Sequence, residues 1–427
     1  MNITCYPGTL AGTVRAIPSK SDAHRKLICA AFSENGGILP LHTPFCDDIA
    51  ATIRCLKALG AGFIECGGGL RVTPIQRQPH AMLDCGESGS TLRFLLPVAM
   101  CLCNSISVTG SGRLPSRPIQ TLTDAMSAHG IQFSAVSLPL DASGTLSGGV
   151  YEIPGNISSQ FLSGLLMALP LCSEESEIRL TTPLQSAAYV DMTLQTLRLF
   201  GAEITVTDEN NLLHYCIKGK QKLHFPDNIS IDGDWSNAAF WLTAGALQKN
   251  SPLTVSGLSS DSAQGDKAIC RILQSAGASV SAEGDAITAA CDSARNFDVS
   301  MEEIPDLLPI LAVRAALSTG GASRFLHAER LRLKESDRLT ATANLLRAIG
   351  GQVDEHPDGL TVCGGQFSGG TVDAQNDHRL VMAAAIAALH CKNPVTILGA
   401  EAVNKSYPGF FDDYRALGGR AEAFDNM

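Results

Sequence analysis

The sequence predicts an α/β protein built from six copies of one unit of about 70 residues, grouped three and three into two domains. Three observations predict it. Polar knots open apolar helix candidates at a regular spacing. Glycines that end amphipathic helices keep the same spacing. The composition is that of a large soluble chain with many tight turns.

The first knot, Ser19-Lys20-Ser21-Asp22-Ala23-His24-Arg25, precedes the apolar run 27–32. The second, Gly86-Glu87-Ser88-Gly89-Ser90-Thr91-Leu92-Arg93, precedes 94–102. Ser158-Ser159-Gln160 precedes 161–171, and Gly233-Asp234-Trp235-Ser236-Asn237 precedes 238–247. Pro305-Asp306 opens 307–317, and Asn376-Asp377-His378-Arg379 opens 380–389. With residues 21, 89, 159, 236, 306 and 378 as markers, the steps are 68, 70, 77, 70 and 72.

Gly60, Gly130, Gly201, Gly277, Gly350 and Gly418 are separated by 70, 71, 76, 73 and 68. Glycine just past a helix end tolerates the positive φ that closes the last turn. Each of these glycines follows an amphipathic stretch, as in Cys55-Leu56-Lys57-Ala58-Leu59-Gly60, and an alternating strand pattern follows it. The unit therefore reads as strand, buried helix, strand, amphipathic helix and two strands. A chain of 427 residues is long for one core, so six units divide naturally into two domains.

Aromatic residues make up 5%, the net charge is −10 and no basic block occurs, which argues against a nucleic-acid partner. The apolar helix candidates are too short to span a bilayer, so no membrane role is expected. The first residues, Met1-Asn2-Ile3-Thr4-Cys5-Tyr6-Pro7, lack a signal-peptide pattern, and the expected location is the cytoplasm. The 14 cysteines are scattered, with no C-x-x-C and no zinc spacing, and read as reduced, buried thiols. Cys85 stands out only because it adjoins the second knot.

A helix N-terminus presents free N–H groups and the positive end of its dipole, so it attracts anions. The cations at or beside the knots are Lys20, Arg25, Arg93, Arg379, Lys334 and Arg338; Arg113, Arg117 and Lys405 lie on loops. An acidic protein that places cations this way is expected to bind small phosphates and carboxylates. Ser236, Asn237 and Asn376 read equally well as ordinary helix caps. Lys334-Glu335-Ser336-Asp337-Arg338 packs cations and carboxylates together, the mixture needed to hold an anion and move a proton. Taken alone, Asp306 also reads as a helix cap and Glu335 as a plain ion-pair partner. No G-x-S-x-G, no P-loop and no dinucleotide fingerprint is present.

Eight motifs in order resemble those of the 3-phosphoshikimate 1-carboxyvinyltransferase (EPSP synthase) family of enolpyruvyl transferases. They are Pro18-Ser19-Lys20-Ser21 with Arg25, Gly86 to Arg93, Arg113 to Ile119, Ser158-Ser159-Gln160-Phe161, Tyr189-Val190-Asp191, Leu333 to Arg338, Asp377-His378-Arg379 and Lys405-Ser406-Tyr407-Pro408. The resemblance implies a two-domain inside-out α/β barrel of six βαβαββ repeats, with helix N-termini facing an interdomain cleft. It implies domains at 17–232 and at 1–16 plus 233–427, with the first strand belonging to the C-terminal half.

The resemblance also implies transfer of the enolpyruvyl group of phosphoenolpyruvate to the 5-hydroxyl of shikimate 3-phosphate by addition–elimination, with no metal or organic cofactor, in a monomer. It assigns Lys20, Ser21, Arg25, Ser158, Ser159, Gln160, Ser186, Asp306 and Lys334 to shikimate 3-phosphate. It assigns Lys20, Gly89, Arg117, Gln160, Arg338, Arg379 and Lys405 to phosphoenolpyruvate. Asp306 is the implied base for the 5-hydroxyl, while Glu335 and Lys20 handle the proton at the methylene carbon. Cleft closure is expected only with shikimate 3-phosphate bound. Glu87 stands where the family often has Asn, Ser90 where Thr is usual, and Arg330 where Asn or His is common; Glu87 should repel phosphoenolpyruvate unless a cation such as Arg330 pairs with it. The alternatives are a UDP-N-acetylglucosamine enolpyruvyl transferase and a non-catalytic binding protein of the same fold. The first normally carries a cysteine on the loop corresponding to Ser111–Pro118, where this chain has none. The second would be expected to lose Asp306, Glu335 or the cations.

Overall fold

The computed structural model describes residues 1–424. The chain divides into two compact units, Met1–Ser19 with Asp232–Met427 and Lys20–Ile231. Relative to the expected domain limits, the first division falls at 19/20 rather than 16/17 and the second at 231/232 rather than 232/233.

In the unit Lys20–Ile231, one repeat shows the whole pattern. Strand His80–Asp84 leads into helix Gly89–Leu102, then strand Ser105–Thr109, helix Gln120–Ser127 and strands Ile131–Phe133 and Leu140–Gly144. The first two strands pair in parallel, and the second pairs antiparallel with Leu140–Gly144, which in turn pairs antiparallel with Ile131–Phe133. The next repeat, from Gly149–Ile153 to Leu212–Ile217, has the same order and directions. A parallel neighbour requires a crossover, and the buried helix supplies it.

The first repeat departs from the predicted copy. Its sheet has only the three strands Gly37–Leu39, Gly69–Thr73 and Gly62–Cys66. The strand before its helix, Gly12–Arg15, pairs in parallel with Leu253–Ser256 in the other unit's fold. There it serves as the opening strand of the fourth repeat. Likewise Asn2–Cys5 pairs antiparallel with both Val395–Leu398 and Ala421–Phe424, completing the sixth. The repeats are thus offset from the start of the chain, because hydrogen-bonding partners, not sequence order, decide which sheet a strand completes.

The core of each unit is helical. In the unit Met1–Ser19 with Asp232–Met427, every residue of helices Trp235–Ala246, Leu308–Ala316 and His378–Ala388 is buried, and the three pack against one another. Strands such as Ala322–Leu326 alternate exposed and buried positions. Each sheet therefore covers the helices with one face and meets water with the other. In the other unit, Gly89–Leu102 packs on Ser159–Ala168. A Cβ on Gly164 would overlap the Arg93 carbonyl oxygen, so glycine is needed for this close approach. Apolar helices inside and amphipathic strands outside give the inside-out barrel.

Both chain crossings lie side by side. Ser19 N–H donates to the Asp232 carbonyl at 2.7 Å, and Asp234 N–H donates to that of Ile17 at 2.8 Å. Gln264 gathers the same segment: its Oε1 accepts from Ser19 Oγ and Trp235 N–H, both at 3.1 Å, and its Nε2 donates to the Gly233 carbonyl at 2.8 Å.

Candidate active site

In the unit Lys20–Ile231, the predicted residues sit at the N-terminal ends of buried helices. Lys20 opens helix Lys20–Phe32, and its Nζ donates to Asp48 Oδ2 at 2.7 Å. Ser21 follows, and its carbonyl accepts from Arg25 Nη1 at 2.6 Å. Arg25 is 2% exposed; its Nε donates to Thr193 Oγ1 and its Nη2 to the Tyr189 carbonyl, both at 2.8 Å. Burial lowers its pKa to about 10, which leaves it cationic at neutral pH. All three Arg25 nitrogens thus have protein partners, and the side chain ties helix Lys20–Phe32 to helix Ala187–Leu199.

Gly89 opens helix Gly89–Leu102, after Ser88, whose Oγ accepts from Thr91 N–H and caps the helix. A Cβ on Gly89 would lie 2.6 Å from Arg117 Nη1 and 2.8 Å from Arg93 Nη1. Two guanidinium groups therefore lie over this helix end. Arg93 Nη1 donates to Gln160 Oε1 at 2.7 Å, and Gln160 Nε2 donates to Ser90 Oγ at 2.9 Å. Gln160 is held in turn by its helix, where Ser158 Oγ accepts from the Gln160 N–H. Ser159 is buried beside it. Ser186, also buried, adopts φ 56° immediately before helix Ala187–Leu199. Glu87 packs on Gly112, against the loop that leads to Arg117.

In the other unit, the motifs Leu333 to Arg338 and Asp377-His378-Arg379 form one charge network with Asp306. Asp306 lies in the 3-10 turn Pro305–Leu307 and is the N-cap residue neither of that turn nor of the helix Leu308–Ala316 that follows. Its Oδ1 accepts from Arg338 Nη1 at 2.7 Å and from Lys334 Nζ at 3.4 Å, and its Oδ2 accepts from Arg379 Nη2 at 3.0 Å. Arg338, 1% exposed, also donates to Glu335 Oε2 at 2.7 Å and to Asp377 Oδ2 at 2.9 Å. Asp377 caps helix His378–Ala388 through the Arg379 N–H and accepts from Ser336 Oγ at 3.0 Å. Lys405 Nζ donates to the Asn376 carbonyl at 2.6 Å.

Burial alone would raise the pKa of Asp306, but Arg379, Lys334 and Arg338 outweigh it and hold the carboxyl well below the ordinary range. Burial opposes the charge of Arg338 too, yet Asp377, Glu335 and Asp306 keep it firmly protonated. The neighbouring Asp266 goes the other way. Burial, and then the Asp306 charge, push it up to about 6 against Arg379 and a 2.5 Å hydrogen bond from Ser236 Oγ.

The helix caps fall on Asp234, Asp337 and Asp377, not on Ser236, Asn237 or Asn376. Sequence reasoning missed Asp48, whose partner Lys20 lies 28 residues away, and Asp266. It named Arg93 as a cation but left it out of the substrate sets. Arg330 donates to the Glu302 carbonyl at 2.7 Å. Among the described residues, no group of three or more His, Cys, Asp or Glu side chains could hold a metal ion, and no helix is long and apolar enough to cross a membrane.

This fold is that of the enolpyruvyl transferases. An EPSP synthase from Acinetobacter baumannii superposes with a TM-score of 0.79 at 23% identity, over 99% of this chain and 100% of that one. The enolpyruvyl transferase NikO from Streptomyces tendae gives 0.79 at 18% identity, over 99% and 98%. At these identities the likeness speaks for the fold alone. The sequence goes further. The family model described as EPSP synthase (3-phosphoshikimate 1-carboxyvinyltransferase) matches residues 6–414. A Clostridium novyi (strain NT) protein named 3-phosphoshikimate 1-carboxyvinyltransferase is 40% identical over 432 residues, covering 98% of each chain. The chain belongs to the EPSP synthase family.

Proposed function

We propose that this protein transfers the 1-carboxyvinyl group of phosphoenolpyruvate to the 5-hydroxyl of shikimate 3-phosphate, giving 5-enolpyruvylshikimate 3-phosphate and phosphate. Family membership supports the reaction, and one geometric observation carries the chemistry. The carboxylates suited to proton transfer, Asp306 and Glu335, are bonded to the same cation, Arg338, in a network that also contains Arg379 and Lys334.

In the proposed assignment, Lys20, Ser21, Arg25, Ser158, Ser159, Gln160, Ser186, Asp306 and Lys334 serve shikimate 3-phosphate. Lys20, Gly89, Arg117, Gln160, Arg338, Arg379 and Lys405 serve phosphoenolpyruvate. Cations suit both ligands, because guanidinium groups grip carboxylate and phosphate through paired hydrogen bonds. Asp306 accepts the 5-hydroxyl proton as the oxygen adds to the enol carbon of phosphoenolpyruvate. Glu335 and Lys20 deliver a proton to the methylene carbon; the proton lost on elimination returns to the same groups as phosphate leaves.

Without substrates, the three cations around Asp306 make it a weak base. An anionic substrate that draws Arg379 and Lys334 to itself weakens their hold and raises the basicity of Asp306 when a proton must be taken. The reaction so written uses only acid–base groups and cations of the chain, acting as a monomer in the cytoplasm.

The test is phosphate release from phosphoenolpyruvate in chelator-treated buffer, with and without shikimate 3-phosphate. Release that requires shikimate 3-phosphate is expected. Turnover with UDP-N-acetylglucosamine instead, or with neither acceptor, would refute the proposal. Asp306→Asn should lower kcat by about 10²–10⁴, the usual range for loss of a general base; near-normal turnover would remove Asp306 from that role.

A further inference from the structure

The two helices that present Gly89 and Gln160 at their N-terminal ends carry a pair of thiols at the opposite ends. Cys101 lies in the last turn of Gly89–Leu102, about 18 Å along the helix axis from Gly89. Cys172 follows the 3-10 turn Leu169–Leu171 that extends Ser159–Ala168. The two sulfurs are 3.6 Å apart. All fourteen cysteines of the chain are free, and neither of these two enters the proposed chemistry.

We propose that Cys101 and Cys172 form a reversible oxidation site, at which hydrogen peroxide converts the two thiols to an intramolecular disulfide. One sulfur of the pair, as thiolate, attacks one peroxide oxygen; the O–O bond breaks, and with one proton the departing oxygen leaves as water. The resulting sulfenic acid is attacked by the other sulfur. The S–S bond forms, the hydroxyl takes up a proton and leaves as a second water, and both thiol hydrogens end in water. Two electrons pass from the sulfurs to the peroxide.

Three observations favour this pair. The sulfurs already touch, and closing to a bond of about 2.05 Å needs a shift of only about 1.5 Å. Both residues sit where a helix ends, so the chain can give without breaking a helix interior. Cys101 is partly exposed, whereas Cys55 and Cys85, which also approach each other, are wholly buried. The contact between the sulfurs also lowers the Cys172 pKa, although burial and Glu174 oppose it, and together with burial raises that of Cys101.

The test is peroxide treatment of the full-length protein, alkylation of remaining thiols and non-reducing peptide mapping, with tandem fragmentation to separate Cys101 from Cys103. The expected product is one cross-linked peptide pair joining Cys101 to Cys172, lighter by two hydrogens and released by dithiothreitol. In Cys101→Ser or Cys172→Ser, dimedone should trap a sulfenic acid at the cysteine of the pair that remains. Both cysteines remaining alkylatable while other thiols oxidise, or either pairing with a different cysteine, would overturn the site. None of these outcomes depends on the proposed enzymatic activity.

Discussion

Gly89 is the smallest residue of the candidate site and among the most constrained by it. A methyl group there meets the tips of Arg117 and Arg93, flexible groups that can move aside without unfolding the helix. Gly89→Ala should therefore fold normally but displace the guanidinium groups. We expect the KM for phosphoenolpyruvate to rise about tenfold, with kcat changed less, as for weakened binding of a charged ligand. An unchanged KM in steady-state assays would show that these tips do not grip the substrate. Asp266 makes a different prediction at the same scale. Its folded pKa of about 6 exceeds the ordinary aspartate value, so between the two the folded state holds more protons than the unfolded state. Its contribution to stability is therefore full below the unfolded value and is lost as pH rises through about 6. Asp266→Asn keeps an oxygen for Ser236 and removes that loss. A gain on the order of 3 kcal/mol is expected at pH 8, fading towards pH 4, read from urea unfolding at both pH values. A gain of equal size at both would contradict the argument. The contrast between these residues also marks what sequence can reveal. Gly89, Lys334 and Arg338 stand in compact runs whose mixture of types already points to anions and protons. Asp48 and Asp266 stand among ordinary helix-start residues, and only the approach of helices remote in sequence gives them Lys20 and Asp306 as neighbours.

At the scale of elements, the contact between helices Gly89–Leu102 and Ser159–Ala168 links packing to the site. Gly164 lets the second helix lie directly against the Arg93 carbonyl, with Pro97 on the other side of the gap. The opposing atom is backbone and cannot swing away. Gly164→Ala should therefore cost about 1–3 kcal/mol of stability, typical of overpacking, measured as a lower urea midpoint. The same shift should loosen the Arg93–Gln160 hydrogen bond and weaken phosphoenolpyruvate binding. An unchanged midpoint would mean that the helices separate freely. The repeating order of strands and helices was legible because periodicity and helix-ending glycines are local signals. The placement of Gly12–Arg15 was legible only through the family resemblance, which put residues 1–16 with the C-terminal half. Its alternation marks a strand, but nothing within four residues indicates that its parallel neighbour is Leu253–Ser256.

At the scale of the molecule, each unit has its own apolar core, and the unit Lys20–Ile231 is one continuous stretch of chain. Expressed alone, residues 20–231 should fold, with a cooperative unfolding transition and resistance to limited proteolysis. A fragment without such a transition would show that its core is not self-sufficient. The strand Asn2–Cys5 gives the opposite case. Ile3 faces Ile397 across the sheet, so the first strand made waits for nearly the last. At synthesis rates of about 5–20 residues per second, that wait is roughly 20 to 80 seconds. During that time residues 20–231 emerge complete while the opening strand stays unpaired. The ribosome therefore releases a middle segment able to fold early, and a second unit whose sheet is completed only when its final strands arrive.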